Sequence, residues 1–163
     1  HTEDVANRIE EINLPKIKTV MYAKGHYYFY KKKNPFKHLI YPLPNSNGHG
    51  IHAGMDIENN LRFGPNAKWV DSIEYSFDEN TLDEFCNSIK SYWINFDPSC
   101  LTPDYTGIRS KTVAEGEGSQ DFEILDASDH GLENLIHLQG IDSPGLTSSL
   151  SIAAEVMSKL GIH

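Results

Sequence analysis

Residues 137–163, HLQGIDSPGLTSSLSIAAEVMSKLGIH, predict a short apolar strand, a glycine corner and a closing helix. Leu146, Leu150, Ala153, Met157 and Leu160 recur at the three- and four-residue spacing of one helix face. Ser143 reads as the N-cap, Pro144 as the first helical residue and Gly161 as the stop. A strand that turns into a helix through Gly140 and Gly145 leaves amides unpaired at the positive end of the helix dipole. Such a corner suits an anion or a polarised carbonyl. From these residues alone, an ordinary Ser-Pro cap behind a glycine turn explains the pattern as well.

Working back towards the N-terminus, TEDVANRIEEI (2–12) has Val5, Ile9 and Ile12 on one helical face, with Thr2 as the cap. TVMYAKG and HYYFYK read as strands, followed across a KKKNP turn by the strand-like HLIYPLP. GIHAGMDI and LRFGPNAKWV form a second hairpin around ENN. TLDEFCNSIKSYWI is a helix with Leu82, Phe85, Ile89 and Trp93 as its stripe and a Thr81/Glu84 capping box. Cys86 beside that stripe reads as a buried thiol. DYTGIRSKTV, DFEIL and LIHLQG are further strands. Hairpin strands with inserted and appended helices give an α+β chain with a mixed, largely antiparallel sheet, not a doubly wound one.

The bulk properties narrow the partners. The 163 residues suffice for one domain with a core, and 39% hydrophobic with 23% charged residues is ordinary for a globular protein. The net charge is −9, and KKKNPFK (31–37) is the lone cationic run, read as a solvated tip. Nucleic acid is therefore not an expected partner. No apolar run approaches the ~20 residues of a membrane span, and no signal peptide opens the chain. Cys86 and Cys100 lack metal-like spacing and read as free thiols, which favours the cytoplasm.

Several tempting motifs fail on context. GHGIHAG (48–54) spells a dinucleotide fingerprint, but it leads into a strand instead of opening a helix. GEGSQD lacks a third glycine, and there is no P-loop or G-x-S-x-G elbow. His49 and His52 lie three apart, so on a strand they point to opposite faces and share no metal ion. No metal is expected.

The blocks AKGHYYFY, HLIYPLP, GIHAGMDIENNLRFGPNAKWV, LTPDYTGIRSK, DFEI and HGLENLIHLQGIDSPGLTSSLSIAAEV occur in an order that resembles the D-amino-acid-oxidase-like FAD-dependent oxidoreductases. Among these the chain is most similar to bacterial L-2-hydroxyglutarate dehydrogenase/oxidase-like enzymes. The resemblance runs from about Met21 to Leu160, and it covers the C-terminal half of that family only. The family's strand–GxGxxG–helix cradle for the ADP part of FAD has no counterpart here. Ser110 stands where the family pattern expects proline, beside an intact Arg109.

The resemblance implies a substrate-binding domain over residues 1–134, then a C-terminal strand and helix of the FAD domain over 135–163. The cofactor is FAD in the complete enzyme, with Gly107, Gly140, Ile141, Asp142, Ser143, Gly145, Leu146 and Thr147 at its edge. Amides at the helix N-terminus would favour the negative charge that builds on the pyrimidine side of a reduced flavin. Arg109 is the expected fork for the substrate carboxylate, with Tyr105, four residues before it, on the same strand face. His52 is the candidate base, because imidazole titrates near working pH. Tyr28, Tyr41 and Lys24 are further candidates for the pocket wall, Lys24 for a second carboxylate.

The implied reaction is oxidation of a small L-2-hydroxy acid, 2-hydroxyglutarate-like, to the 2-oxo acid. FAD is not expected to stay on this chain alone. A helix terminus contributes about 0.3–2 kcal/mol towards an anion, against about 8 kcal/mol for micromolar binding. The expected partner is an N-terminal FAD-binding half, in the same or a separate chain. An exposed apolar edge at that junction would also promote self-association. Peripheral membrane attachment of the complete enzyme is left open, as is the electron acceptor. Two alternatives stand beside this reading. One is an amine-oxidising, glycine-oxidase-like relative, which would not need His52 as a base. The other is a stand-alone, non-catalytic domain that binds a carboxylate or a partner protein.

Overall fold

The computed structural model describes residues 1–12, 17–43, 50–118 and 120–162. The chain divides into two compact units, Tyr22–Arg109 and His1–Met21 with Ser110–His163. The architecture is mixed α+β with antiparallel sheets, as the sequence predicts. The division expected at 134/135 falls inside the second of these units, between two strands that pair with each other.

The first unit is organised by β1 (Met21–Tyr30), one continuous strand where the sequence suggested two. Gly25 does not break it. Its missing side chain admits Pro65, since a Cβ there would lie 2.7 Å from the proline Cβ and 3.1 Å from the Asn66 carbonyl oxygen. The hairpin of β2 (Ala53–Met55) and β3 (Leu61–Phe63) pairs through β3 with Tyr28 and Phe29. β4 (Lys68–Val70) then pairs with Tyr22–Lys24. The register slips by one residue between the two pairings, as at a β-bulge, and Gly64 there adopts φ +136°. β5 (Leu101–Lys111) pairs with β1 as well. Lys31 N–H bonds the Cys100 carbonyl and the Tyr27 ring stacks on Tyr105, so β5 runs antiparallel to β1.

Before β2, HLIYPLP is not a strand. It contributes a single bridge, Ile40 to Ala53, and its last proline lies outside the described residues. KKKNP is likewise no hairpin turn. The Asn34 side chain is buried and donates to Asn59 Oδ1 at 3.0 Å, which draws the segment onto the β2–β3 tip.

α1 is a single short turn, Thr2–Ala6, with His1 and not Thr2 as its N-cap, and it leaves Val5 exposed. α2 (Leu82–Tyr92) buries Phe85, Cys86 and Ile89 against one face of the sheet. Complete burial of Phe85 and Ile89 is worth roughly 1.5–3 kcal/mol each. Tyr28, Tyr30, Phe63 and Phe96 complete an aromatic core there, most of its rings meeting edge-on or tilted. Burial pushes the Cys86 thiol above its ordinary pKa, in keeping with an inert structural cysteine. The Thr81/Glu84 capping box is not made, because both side chains are taken. Thr81 Oγ1 donates to the Asp78 carbonyl and meets the Tyr28 hydroxyl, while Glu84 accepts from Asn66.

The second unit pairs β6 (Glu123–Leu125) with β7 (His137–Gln139). Between them α3 (Ala127–His130) carries a full capping box made by Asp126 and Asp129. Lys18 bridges to Glu123, which also accepts from Gln139. The closing helix differs most from expectation. α4 spans Ser149–Lys159 with Ser148, not Ser143, at the N-cap position and no side-chain capping bond there. The Gly145 amide closes a turn on the Asp142 carbonyl and Ser148 N–H another on the Pro144 carbonyl, ahead of the helix that Ile152 N–H to Ser148 opens. The predicted apolar stripe faces outward, with Leu146 90% and Leu150 85% exposed. Ile152 and Val156 are the half-buried residues instead.

Two outcomes are expected. Gly25→Ala should destabilise the chain by about 1–3 kcal/mol in chemical denaturation, because the new methyl meets Pro65 and rigid backbone. The second concerns acid. Desolvation lowers the pKa of both His26 and His137 below the ordinary histidine value. Folding therefore favours their neutral forms. That stability is complete above the unfolded pKa of about 6.5 and is lost as pH falls towards the lower folded values. The melting temperature should fall between about pH 7 and 5, and the His26→Gln/His137→Gln double variant should flatten that slope.

Candidate functional site

Alternation along β1 gives the sheet two unlike faces. Tyr28 and Tyr30 point into the aromatic core under α2. Tyr28 is 1% exposed, with its hydroxyl 3.1 Å from Thr81 Oγ1, so it is a core residue and not a pocket wall. Lys24 shares that face, is buried, and donates to Glu74 Oε2 at 3.2 Å. Its charge is already matched.

The opposite face, which α2 does not cover, gathers most of the remaining candidates. Tyr27 and Tyr105 stack with ring centroids 4.4 Å apart and planes 13° from parallel. Burial raises the Tyr27 phenol pKa, Tyr105 adds to this, and the positive Arg109 nearby opposes it. Arg109 is exposed on the same strand as Tyr105 and has no ion pair among the described residues. Tyr41 is exposed, and its ring centroid lies 4.1 Å from that of His52. His52 is half-buried between core residues Ile51 and Ala53, and its carbonyl accepts from Gly64 N–H at 3.0 Å. A Cβ on Gly107 would meet nothing within 4 Å, so open space lies over the strand between Tyr105 and Arg109. His49 lies outside the described residues.

Arg62 shares this face, 5.9 Å above the Phe29 ring. It is fully committed, with Nη1 to Asp56 at 2.5 Å and Nε to Asp104 at 2.6 Å. Sequence reasoning missed Tyr27. Continuous alternation through AKGHYYFY would have set Tyr27 opposite Tyr28, but Gly25 was read as a break.

In the other unit, the corner runs from half-buried Gly140, Ile141 and Asp142 through exposed Ser143 and Pro144 and buried Gly145 to exposed Leu146 and Thr147. Gly140 has φ +69°, and a Cβ there would approach Thr112 Oγ1 at 3.2 Å. At Gly145 a Cβ would strike Ile141 Cγ2 at 2.6 Å and the Asp142 carbonyl oxygen at 2.7 Å. The turn itself therefore requires glycine at both positions. Ile141 is half-buried, Lys111 anchors Asp142, and the Thr147 hydroxyl donates to the Pro144 carbonyl at 2.9 Å. Ser143 and Leu146 face solvent. Ahead of α4 the Gly145 N–H bonds the Asp142 carbonyl and the Ser148 N–H the Pro144 carbonyl, while the N–H groups of Ser143, Leu146 and Thr147 have no partner among the described residues. Among the described residues, no three His, Cys, Asp or Glu side chains group as metal ligands, and no helix is long and apolar enough to cross a membrane.

The sequence profile of the DAO family, described as FAD dependent oxidoreductase, matches residues 5–159. The chain belongs to this family of FAD-dependent oxidoreductases. Among family relatives, the mitochondrial L-2-hydroxyglutarate dehydrogenase of Arabidopsis thaliana is 31% identical over 95% of the chain and 35% of its own length. The glycerol 3-phosphate oxidase of Mycoplasma genitalium is 30% identical over 85% of the chain and 36% of its own length. The dithionite-reduced, FAD-bound L-alpha-glycerophosphate oxidase of Mycoplasma pneumoniae shares the fold with a TM-score of 0.76 at 16% identity. That likeness covers 99% of this chain and 41% of the other. The chain thus spans about a third to two fifths of the proteins it matches.

Proposed function

We propose that the chain supplies the substrate-facing sheet and the flavin-edge corner of an FAD-dependent oxidoreductase that converts an L-2-hydroxy acid, 2-hydroxyglutarate-like, to its 2-oxo acid. The unit Tyr22–Arg109 takes the substrate role, and the Gly140–Thr147 corner the cofactor role. The observation that carries the reading is Arg109, an uncommitted guanidinium on the sheet face that also bears Tyr27, Tyr105 and His52. Similarity to L-2-hydroxyglutarate dehydrogenases from two organisms supports the substrate class.

Bound FAD would supply the acceptor for the hydride. The remaining work falls to the chain's own side chains. The planar Arg109 fork takes the two carboxylate oxygens in parallel bonds and fixes the carbinol carbon. The raised pKa of the Tyr27 phenol keeps it protonated and able to donate to a remaining lone pair. His52 accepts the hydroxyl proton, with the Tyr41 ring limiting its rotation. At the corner, the N–H groups of Ser143, Leu146 and Thr147, unlike that of Gly145, are not taken by a partner among the described residues and would favour negative charge on the group they face. The cradle for the ADP part of FAD would come from an N-terminal half, in the same or a separate chain, and the exposed apolar stripe of α4 is a fitting surface for it. FAD is not retained by this chain alone, because one helix terminus falls several kcal/mol short of micromolar affinity.

Glycerol 3-phosphate is the second reading, favoured by the similarity to a glycerol 3-phosphate oxidase and dehydrogenase. Arg109 would then meet the phosphate. The two separate in an anaerobic assay of the flavin-loaded protein, reconstituted with a dinucleotide-binding half. L-2-hydroxyglutarate should bleach the oxidised flavin band and glycerol 3-phosphate should not. The reverse result would hand the reading to the phosphate substrate.

Arg109→Lys should lower kcat/KM about 10²-fold or more, since a point charge cannot reproduce the bidentate fork; that corresponds to about 3 kcal/mol. His52→Gln should lower hydroxy-acid turnover by about 10²–10⁴-fold. Gly107→Ala should leave the denaturation midpoint unchanged or slightly raised, because its Cβ meets nothing in the chain, while raising KM as the methyl fills ligand space.

A further inference from the structure

The corner that the proposed reaction sets against the flavin carries an acid where negative charge has to be accommodated. From Gly140 to Ala154 the chain holds one charged residue, Asp142, and it directly precedes Ser143. A carboxylate beside the N–H groups of Ser143, Leu146 and Thr147 works against what those groups offer an anion. Asp142 is also the hub of the turn. Its N–H donates to the Gly140 carbonyl at 2.9 Å, and its carbonyl accepts from Gly145 N–H at 2.6 Å.

Lys111 answers that carboxylate. It is the last residue of β5, two positions beyond Arg109, and its Nζ donates to Asp142 Oδ2. Lys111, Asp142 and the corner belong to the same compact unit. Fully exposed ion pairs contribute little, but this one is sheltered, with 27% of the Lys111 side chain and 21% of the Asp142 side chain exposed. The next residue, Thr112, backs the same turn, since a Cβ on Gly140 would approach its Oγ1 at 3.2 Å. Thr112 donates to Gln120 at 3.3 Å and Gln120 to Glu123 at 3.0 Å, which ties the segment leaving β5 to β6. A second pair in this unit serves as a contrast. Lys159 and Asp126 are equally sheltered, but Lys159 closes the far end of α4. At about 1.5 Å of rise per residue it stands roughly 15 Å from the first turn, beyond the screening length of about 8 Å at physiological salt.

We propose that Lys111 is a positioning residue for the flavin edge: by pairing with Asp142 it holds the turn and cancels the negative charge in the corner, so that the N–H groups there present a positive potential to the reduced cofactor. The inference rests on the flavin-edge reading of the Gly140–Thr147 corner. Two cations two residues apart on β5 thereby take separate tasks. Arg109 receives the carboxylate of an incoming acid, and Lys111 neutralises an acid of the chain itself.

The test is the two-electron midpoint potential of the bound flavin, read from its absorbance during anaerobic reduction of the protein reconstituted with a dinucleotide-binding half. Lys111→Gln removes one positive charge beside the corner, whatever else Asp142 meets, and should disfavour reduction about tenfold, or about 30 mV for two electrons. Lys111→Arg keeps the charge and should keep the potential. Lys111→Gln/Asp142→Asn lacks the ion pair but restores the net charge, so the potential should return to that of the parent. Lys159→Gln should leave it unchanged. An unaltered potential in Lys111→Gln, or one that stays low in the double variant, would overturn the proposal. Ser143→Asp separates the proposal from the reading beneath it, because added negative charge there should lower the potential with Lys111 intact. A shift in Ser143→Asp with none in Lys111→Gln removes the role of Lys111 alone, whereas no shift in either removes the flavin-edge reading. The chain without flavin supplies an independent check. Hydrogen exchange at Gly145 N–H should quicken in Lys111→Gln and stay slow in Lys111→Arg, and equal protection in both would overturn the anchoring of the turn.

Discussion

The unit Tyr22–Arg109 depends on the unbroken alternation of β1. Each step along AKGHYYFY sends one side chain into the aromatic core under α2 and the next to the opposite face. Tyr28 and Tyr30 therefore secure the sheet, while Tyr27 and Phe29 furnish the other surface. The strand runs straight because Gly25 yields its side-chain volume to Pro65. A one-residue slip would exchange the two sets, burying Tyr27 and exposing Tyr28. Fold stability and the candidate site thus rest on a single register.

Elements whose periodicity was local were legible in the sequence. The Phe85 and Ile89 stripe of α2 (though not Leu82, which is exposed), the hairpin around Asn59 and the antiparallel character of the sheet followed from residues close together in the chain. What escaped were decisions made by distant partners. Gly25 looked like a strand break because Pro65 lies forty residues away. Thr81 and Glu84 spell a capping box, yet Asp78, Tyr28 and Asn66 engage both side chains. In α4 the amphipathic pattern was read correctly and its direction was not: an apolar stripe says that a face will be covered, not by what.

The site followed the same division. Arg109, Tyr105, Tyr41 and His52 were named from ordered sequence blocks, and the fold sets them on the face that α2 leaves uncovered. Tyr28 was named from another of these blocks, AKGHYYFY, and belongs to the core, with Tyr27 in the place intended for it. The glycine corner was also legible, but for a different reason. Gly140 and Gly145 are required by the turn closing on Thr112, Ile141 and Asp142, so a purely structural constraint places both glycines.

The two arginines on this face show how charge commitment separates support from recognition. Arg62 is neutralised by Asp56 and Asp104 and rests over Phe29, which leaves little reason for it to bind an incoming anion. The Asp56 carboxyl, held near a pKa of about 2 chiefly by the Asn60 side chain, stays ionised throughout the physiological range and keeps Arg62 occupied. Lys24 is likewise matched by Glu74 on the other face. On the proposed reading, Arg109 then grips the reacting end of the substrate, a feature shared by hydroxy acids of any chain length. Selection for a second carboxylate must come from groups other than Arg62 and Lys24. A sheet that fixes only the reacting end can serve relatives named for different substrates, with the distal contacts setting each preference.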